Sequence, residues 1–420
     1  KGGGALVMSK DGRNLYLLSG GQISKVDMNS GQLKGMSYNA EFEWKKPEER
    51  AYLFDHVWQQ VVDKFYDPTI HNIDWAFYKK EYARFLPYIN NNYDFAEMLA
   101  ELLGELNASH TGASYKGGGS SSQTAALGVF YDETFDGDGL KIKEILEKGP
   151  LDLTSGKIKP GMIIRKINNQ EIKKGQDYFQ ILEDLSGKRV MLTIYDPSTK
   201  KEWEEYVKPT TYGNQNGLLY NRWVKQRQEM VEKLSNGKIG YVHVKSMDSP
   251  SFRKVYSEIL VKYRNKEAII VDTRYNGGGW LHEDLLHLLS GKKYAEFVPR
   301  GQFIGEDPFT QWNKPSAVLV SESNYSNAHG FPWAYKELGL GKVIGMPVPG
   351  TMTAVWWETL MDPSLVFGIP QVGMKDNQGR ILENMQLEPD IKVTNDPASA
   401  MKGRDLQLEA AVESLMKEIK

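Results

Sequence analysis

One short segment, Ala268–Asp272, limits what this chain can fold into more than any other part of the sequence. Its residues are apolar up to the final aspartate, which is the pattern of a strand buried on both faces of a sheet. The strand is followed by Gly277, Gly278 and Gly279, and then by an apolar helical pattern. A buried strand, a glycine turn and a helix in this order indicate an α/β domain with a parallel sheet.

The sequence repeats this alternation of strands and helices from residue 213 to residue 420, which we predict to be one α/β core. Further apolar strands lie on both sides of the first, so the sheet is expected to be covered by helices on both faces. The other predicted strands are Lys238–Val244, Ala317–Ser321, Val343–Ile344 and Val366–Ile369, and the predicted helices are Trp280–Leu289 and Phe331–Leu338.

Two other types of structure are predicted before this core. Residues 1–40 carry four short apolar runs separated by turn signals such as Asn29-Ser30-Gly31, as in one blade of a β-propeller or in a small β-meander. Residues 41–115 are predicted to be helical, because Pro47-Glu48-Glu49 is typical of a helix start and apolar residues then recur at helical spacing. We therefore expect propeller-type strands followed by a helical domain.

Residues 123–212 are predicted to form a further small domain. They follow Gly117–Ser122, whose composition indicates a flexible linker. Leu127-Gly128-Val129-Phe130 resembles the loop with which PDZ domains hold a peptide carboxylate, and Val190–Tyr195 fits the closing strand of that fold. A PDZ domain binds peptide ends by adding a strand to its sheet. The alternative is a small α+β domain that acts only as a spacer, and in either case the whole chain is predicted to be multidomain α+β.

Composition narrows the classes of function. The formal net charge is −2 over 420 residues, so no basic excess indicates nucleic-acid binding. The chain has no cysteine, which excludes a thiol nucleophile, a zinc–thiolate site and disulfides. No apolar run approaches the ~20 residues of a membrane-spanning helix. The chain begins Lys1-Gly2-Gly3-Gly4 without an initiator methionine, and we expect it to be a fragment of a longer protein.

Ser326 is the first candidate for chemistry, as a nucleophile. Nucleophilic serines need an exposed turn, a nearby base and backbone N–H groups directed at the developing oxyanion. A turn between a strand and a helix supplies the first and the last of these, because the N-terminus of a helix has free N–H groups. Residues 317–335 have this layout, with Ser326 in the polar turn. Ser321 and Ser323 compete for the role, and a serine in a turn is more often a cap than a nucleophile.

The second candidate is the glycine run that ends Asp272–Gly279. Three successive glycines let the backbone approach a ligand closely and point N–H groups outward. The run lacks the glycine spacing of a dinucleotide site and the lysine of a phosphate-binding loop. We therefore predict an oxyanion hole or substrate cradle, with a phosphate site as the weaker alternative.

The third candidate is His110, which lies in Leu106–Gly112 at the end of the predicted helical region. An imidazole has a pKa of roughly 6.5, so it can take and return a proton at neutral pH. A histidine at a helix end is nevertheless more often packed or capping. His329 is a rival because it lies three residues from Ser326. We interpret the other histidines as structural: His56, His71, His243, His282 and His287.

Five features occur in a fixed order along the chain: Ser109-His110, Asp272–Gly279, Asn324–Asn327, Gly339–Gly345, and Glu383 ahead of Glu388-Pro389-Asp390. Together they resemble the tricorn-type serine peptidases, a group within the C-terminal processing peptidase family S41. The resemblance covers nearly all 420 residues and implies a ClpP/crotonase-like α/β catalytic core. It also implies peptide substrates, no cofactor, no metal and, by analogy, a homo-hexamer in the cytoplasm, with the periplasm as the other compartment.

The resemblance implies a Ser–His–Ser–Glu tetrad. Ser326 would attack the scissile carbonyl, and His110 would take its proton and later donate it to the leaving amine. Ser109 would orient His110, and Glu383 would hold Ser109. This would make the chain a serine-type endopeptidase acting on short or unfolded peptides.

The oxyanion hole implied by the resemblance consists of the backbone N–H of Asn327 and one from Gly277–Gly279. The family usually has Asp where Asn327 stands, and we expect activity to survive because only the N–H is needed. Met385-Gln386-Leu387 stands where a glycine is common, which bears on the placement of Glu383. Glu296 is a weak candidate for selecting a basic side chain before the scissile bond.

Two alternatives remain open from the sequence. The first is a catalytically weak, PDZ-containing protein that only binds peptides, although the presence of all four tetrad residues argues against it. The second is a Ser–Lys peptidase, for which Lys336 or Lys342 would supply the base. The Ser109-His110 pair favours the histidine mechanism.

Overall fold

The computed structural model describes residues 4–39, 41, 43–117, 122–154 and 156–419. The predicted linker Gly117–Ser122 therefore lies largely outside the described residues. By its contacts the chain divides into two compact units, Lys1–Tyr52 and Leu53–Lys420. No helix within the described ranges is long and apolar enough to cross a membrane.

The strands and helices alternate irregularly along the chain. The strands are β1 Ala5–Met8, β2 Leu15–Ser19, β3 Gln22–Val26, β4 Leu33–Met36, β5 Gly112–Tyr115, β6 Ala125–Ala126, β7 Val129–Tyr131, β8 Leu140–Ile145, β9 Ile163–Ile167, β10 Gln170–Glu171, β11 Val190–Asp196, β12 Lys201–Val207, β13 Thr210–Thr211, β14 Ile239–His243, β15 Ala268–Asp272, β16 Ala295–Phe297, β17 Gly305–Asp307, β18 Ser316–Val320, β19 Lys342–Gly345, β20 Thr353–Thr359, β21 Leu365–Gly373 and β22 Ile391–Lys392. The helices are α1 Lys46–Lys64, α2 Trp75–Ala83, α3 Asn92–Gly104, α4 Tyr212–Leu234, α5 Ser249–Ser257, α6 His282–Leu289, α7 Asn327–Glu337, α8 Pro397–Met401 and α9 Leu406–Glu418.

In the first unit, β1 to β4 form an antiparallel sheet in the order of the chain. Glycines with positive φ, such as Gly12 and Gly31, occupy the turns between the strands. The four predicted apolar runs are thus four paired strands. Their assignment to a propeller blade stays a prediction.

In the second unit, a sheet in the order β12-β11-β9-β8-β7 corresponds to the segment predicted to be PDZ-like. Its antiparallel strands enclose an apolar core that includes Ile164, Leu192 and Ile194. The short strands β6 and β13 pair with each other beside it. The assignment of this segment to the PDZ class stays a prediction.

The α/β part is built on a five-stranded parallel sheet in the order β14-β15-β18-β19-β22. Alternate residues of the buried strands face opposite sides: Ile269 and Val271 pack towards α5, α6 and α7, whereas Ala268 and Ile270 pack towards α4 and α9. Residues that are apolar on both faces require this double cover. The mixed α/β architecture predicted from Ala268–Asp272 is confirmed.

A separate three-stranded sheet in the order β20-β21-β5 joins distant parts of the chain. The sequence predicted Val366–Ile369 as a further strand of the α/β core, but this segment belongs to β21, which pairs antiparallel with β20 and β5. Helix α3 packs on this sheet, and Leu99 and Leu102 belong to the same apolar core as Leu365. The pairing of β5 with β21 brings the end of the helical region to the α/β core.

Two helix starts differ from the prediction. Helix α6 begins at His282 rather than at Trp280, and α7 begins at Asn327 rather than at Phe331. The start of α7 was misplaced because Pro332 resembles a first-turn proline, yet it lies inside the helix. The true start puts Ser326 at the N-cap of α7, where backbone N–H groups are free.

Candidate active site

Ser326 occupies a strained turn between β18 and α7. Its φ of 57° and ψ of −126° lie in a region that non-glycine residues rarely adopt. The backbone N–H of Ser326 donates to Thr351 Oγ1 at 2.8 Å, which helps to hold this conformation. The backbone therefore projects this side chain from the N-terminus of a helix, as a nucleophile requires.

His110 lies beside Ser326, although the two residues are far apart in the sequence. It follows α3 in a loop in which His110 has a φ of 62°, and β5 then begins at Gly112. The backbone N–H of His110 donates to the Tyr325 hydroxyl at 2.7 Å, and the two rings are 4.8 Å apart between centroids. His110 is thus fixed to the residue directly before Ser326.

Ser109 and Glu383 complete a chain of polar contacts behind His110. His110 Nδ1 is 2.8 Å from Ser109 Oγ. Ser109 Oγ donates to Glu383 Oε2 at 3.0 Å, and the Ser109 backbone N–H donates to Glu383 Oε1 at 2.5 Å. The structure therefore brings all four residues named in the tetrad prediction to one place, including Glu383, whose position was least secure in the sequence.

Burial changes the proton affinities in this chain of contacts. Desolvation lowers the pKa of the His110 imidazole, so the neutral form that can act as a base persists to lower pH. Desolvation raises the pKa of the Glu383 carboxyl, and the two bonds donated by Ser109 act in the opposite direction. Both shifts reflect a site that is largely closed to water at its inner end.

The glycine run packs directly against Ser326. A Cβ atom on Gly278 would lie 2.6 Å from Ser326 Cβ and 2.8 Å from the Tyr325 carbonyl oxygen, and Gly278 also has a positive φ of 96°. Only glycine fits this close approach. The Gly278 N–H donates to Asn276 Oδ1 at 2.8 Å, so this N–H is engaged within the loop.

The N–H groups at Gly277, Gly279 and Asn327 remain the candidates for an oxyanion hole. Gly277, Gly279 and Asn327 line the same cleft as Ser326. Asn327 is the first residue of α7, so its N–H lies at the free end of that helix. Of the three predicted glycine donors, Gly278 is thus the one whose N–H already has a partner.

The Asn327 side chain is buried, and both of its polar atoms form hydrogen bonds. Its Oδ1 accepts from the backbone N–H groups of Leu281 and His282 at 2.8 and 2.9 Å, and its Nδ2 lies 2.8 Å from His282 Nδ1. The amide therefore caps the N-terminus of α6 and can donate to the histidine ring. A carboxylate at this position could not make that donation.

These residues open into one cleft of about 350 Å³. His110 and Ser326 line it, together with the side chains of Trp280, Met352 and Val355. Trp280 is mostly exposed, so the cleft has an aromatic wall beside the glycine run. Within the described residues, no group of three or more His, Asp or Glu side chains is arranged to hold a metal ion.

Comparison with known proteins gives two family matches within this chain. Residues 238–393 match the model of Peptidase family S41, and residues 46–104 match the Tricorn protease C1 domain. The tricorn protease of Thermoplasma acidophilum is 23% identical over 386 residues, which cover 89% of this chain and 35% of that protein. A putative tricorn-like protease C-terminal subunit of Sulfurisphaera tokodaii is 24% identical over 444 residues, which cover 99% of this chain and 49% of that protein. The chain therefore combines a peptidase family S41 domain with a tricorn protease C1 domain.

The structural comparison establishes the fold. The crystal structure of tricorn protease superimposes with a TM-score of 0.83 at 19% identity, and the match covers 99% of this chain and 41% of that one. The chain therefore spans about a third to a half of the length of these relatives. The S41 match includes the glycine run, Ser326 and Glu383, and the C1 match ends shortly before Ser109.

The competing candidates for the nucleophile and the base lie outside the cleft. Ser321 is buried, and its Oγ donates to Asn324 Oδ1 at 3.1 Å. His329 is fully buried in α7, where its Nδ1 accepts from the Thr351 N–H at 3.3 Å. Lys336 forms an ion pair with Asp390 at 3.3 Å. None of Ser321, His329 and Lys336 lines the cleft.

Three further candidates from the sequence are also outside the cleft. Ser323 is exposed in the turn before Ser326, and Lys342 is exposed at the start of β19. Glu296 lies in the ribbon formed by β16 and β17 and pairs with Lys293. None of these three residues is among those that line the cleft.

Sequence reasoning missed three residues that hold the site together. Thr351 binds the Ser326 N–H, Thr353 contacts both Ser109 and His110, and Tyr325 accepts from the His110 N–H. Threonines at the start of a strand are common and carry no chemical signature. Tyr325 belongs to the sequence motif Asn324–Asn327, but its contact with His110 depends on residues that are distant in the chain.

Proposed function

We propose that this chain is a serine-type peptidase that hydrolyses peptide bonds, with Ser326 as its nucleophile. The observation that carries the proposal is that Ser326 and His110 line one cleft. Ser109 and Glu383 extend from His110 through a chain of hydrogen bonds. Nucleophile, base and orienting groups in this arrangement are what acyl transfer requires. The match to peptidase family S41 supports the same reaction class.

In the proposed mechanism, Ser326 Oγ attacks the scissile carbonyl carbon while His110 Nε2 takes the hydroxyl proton. The charge that develops on the carbonyl oxygen is stabilised by the N–H of Asn327 and by an N–H from Gly277 or Gly279. One such donor is typically worth about 3 kcal/mol of barrier. The C–N bond then breaks, and His110 returns the proton to the leaving amine.

The second half of the reaction regenerates the enzyme. Water enters the cleft and gives a proton to His110, and the resulting hydroxide attacks the acyl carbon. The acyl–oxygen bond to Ser326 breaks, and His110 returns the proton to Ser326 Oγ. Throughout, Ser109 and Glu383 keep Nδ1 of His110 protonated, so that Nε2 faces Ser326 as the base.

The resemblance to the family extends the proposal to the rest of the protein. Short or unfolded peptides would be the substrates, cut as by an endopeptidase. The segment of residues 123–212 would bind peptide ends as a PDZ-like domain, and residues 1–40 would be propeller-type strands. A homo-hexamer and a cytoplasmic location are proposed by analogy with the same family.

The experiment is covalent labelling with a fluorophosphonate probe, followed by mass mapping of the modified peptide. We expect modification at Ser326 in the wild-type chain and none in Ser326→Ala. His110→Ala should reduce the labelling rate by about 10²- to 10⁴-fold, as removal of a general base does. Ser323→Ala is the matched control, because it removes an exposed hydroxyl from the same turn and should leave the rate unchanged.

Other outcomes would decide against the proposal. A folded wild-type chain that is neither labelled nor able to cleave unfolded casein would favour the peptide-binding alternative. Modification at Ser321 or Ser323 would show that the nucleophile has been misplaced.

A further inference from the structure

Thr353 makes two contacts that the tetrad does not account for. Its Oγ1 lies 3.0 Å from His110 Nδ1 and 3.1 Å from Ser109 Oγ. Ser109 Oγ is itself 2.8 Å from the same Nδ1 atom. Two hydroxyl oxygens therefore share one imidazole nitrogen, and the three atoms form a closed triangle.

The protons of this triangle can be assigned by counting donors and acceptors. An ionised Glu383 only accepts, so the Ser109 hydroxyl proton is directed at Oε2. Ser109 Oγ then offers its lone pairs to the triangle. The Thr353 hydroxyl proton can be directed at Ser109 Oγ, which leaves Thr353 Oγ1 as an acceptor. The Nδ1–H of His110 thus has two acceptors, Ser109 Oγ and Thr353 Oγ1.

Thr353 and Ser109 lie in different kinds of backbone structure. Thr353 is 6% exposed and begins β20, where it pairs with Gly373 of β21. Ser109 lies in a loop instead. Two residues earlier, Thr351 holds the Ser326 N–H. One short segment therefore contacts both the proposed nucleophile and the proposed base, and it can fix the distance between them.

We propose that Thr353 is a positioning residue that holds His110 in the Nδ1–H tautomer in parallel with Ser109. This inference rests on the proposed function, because it assigns His110 the part of the base. In this arrangement the hydroxyl groups of Ser109 and Thr353 are redundant as acceptors for Nδ1–H. Loss of either hydroxyl leaves one acceptor for Nδ1–H, whereas loss of both leaves none and frees the ring to adopt the wrong tautomer.

The test is a double-mutant cycle with Thr353→Val and Ser109→Ala, read out as the labelling rate with a fluorophosphonate. Each single change should slow labelling by roughly 10-fold, and the double change by about 10³- to 10⁴-fold, close to the effect of losing the base. Thr353→Ser restores the hydroxyl and should label within about 2-fold of the wild type. Thr359→Val, an exposed threonine at the other end of β20, is the control and should have no effect.

The pH profile separates positioning from a loss of structure. An acceptor for Nδ1–H stabilises the imidazolium, so Thr353→Val should move the midpoint of the rate–pH curve to lower pH. Thr353→Ser should restore the wild-type midpoint. A merely structural effect would lower the rate at every pH without moving the midpoint.

Selective ¹⁵N labelling of histidine gives a readout that does not depend on catalysis. We expect Nδ1–H for His110 in the wild type and in each single variant, and a mixture of tautomers in the double variant. Labelling rates that fall independently in the two single variants, with no coupling, would overturn the inference, as would an unchanged tautomer in the double variant. If the wild type is not labelled but the tautomer shifts as expected, the positioning role stands and the proposed peptidase activity falls.

Discussion

Asn324 Nδ2 donates to the carbonyl oxygen of Ala328 at 3.1 Å and so replaces the backbone bond that Pro332 cannot make. In a regular helix the N–H of residue 332 would bind that oxygen, but proline has no N–H. The Asn324 side chain is buried, and its Oδ1 accepts from the Ser321 N–H at 3.1 Å. One side chain therefore ties the turn that carries Ser326 to the helix that follows it.

Replacing Asn324 by alanine should destabilise the chain by about 1–3 kcal/mol, because it leaves the buried carbonyl of Ala328 without a donor. The loosened turn should also slow the labelling of Ser326. Urea unfolding and labelling rates measure the two effects. Asn221→Ala is the control, since Asn221 is exposed on α4 and alanine favours a helix there. An Asn324→Ala chain of wild-type stability would contradict this role.

Gly278→Ala should abolish labelling of Ser326, because the new Cβ would collide with Ser326 Cβ and the Tyr325 carbonyl oxygen. A positive φ of 96° adds backbone strain to the collision. Gly217→Ala is the matched control: this glycine lies in α4, and its Cβ would meet nothing within 4 Å. We expect Gly217→Ala to label normally and to be more stable by about 0.5–1 kcal/mol. Normal labelling of Gly278→Ala would mean that the glycine run is not close to the reacting serine.

Arg274 ties the strand before the glycine run to the C-terminal part of the chain. It is 1% exposed and pairs with Asp272 at 2.6 Å and with Asp405 at 2.9 Å. Asp405 is the N-cap of α9, so the pair joins that helix to β15.

Arg274→Met should therefore destabilise the chain by about 3–5 kcal/mol, because two buried carboxylates lose the guanidinium that they share. Lysine should not restore it, since an ammonium cannot make the same forked contacts. Arg404→Met is the control, because Arg404 forms an exposed pair with Glu409 that should be worth at most about 1 kcal/mol. Thermal unfolding and hydrogen exchange in α9 report both effects. Equal losses in the two variants would contradict the buried pair as a main support.

His329 should make the protein sensitive to acid. Burial lowers the pKa of its imidazole to about 4, whereas an unfolded chain has a histidine pKa near 6.5. Between these values the unfolded state binds a proton that the folded state does not. His329 therefore does not reduce the free energy of unfolding above about pH 6.5. As the pH falls towards 4, that free energy decreases by roughly 3 kcal/mol in total.

Unfolding experiments between pH 7 and pH 4 measure this loss. His329→Gln removes the titrating group and should flatten the dependence of stability on pH over this range. His287→Gln replaces an exposed histidine of α6 and should keep the wild-type slope. An unchanged slope in His329→Gln would show that other groups cause the acid sensitivity.

The parts of the site that could be predicted from the sequence are those defined by residues close together in the chain. The apolar run Ala268–Asp272 predicted the buried strand, and the glycines after it predicted a close backbone approach. The polar turn around Ser326 predicted a nucleophile position between a strand and a helix. Features of this kind can be predicted from a sequence because the residues that define them are neighbours in the chain.

The sequence by itself thus predicted the α/β core and the glycine loop, and its resemblance to a known family singled out Ser326 and His110 as the candidate nucleophile and base. Only the tertiary structure decided which residues meet: Ser109 and Glu383 are separated by 274 positions, and Thr353 by 243 positions from His110. The antiparallel pairing of β5 with β21 brings these segments together. Nothing in the sequence of either strand identifies the other strand as its partner. The start of α7 at Asn327 was also decided by tertiary contacts, because a buried asparagine side chain compensates for the proline within the helix. Contacts between distant segments depend on how whole sheets and helices pack, and local periodicity does not encode that packing.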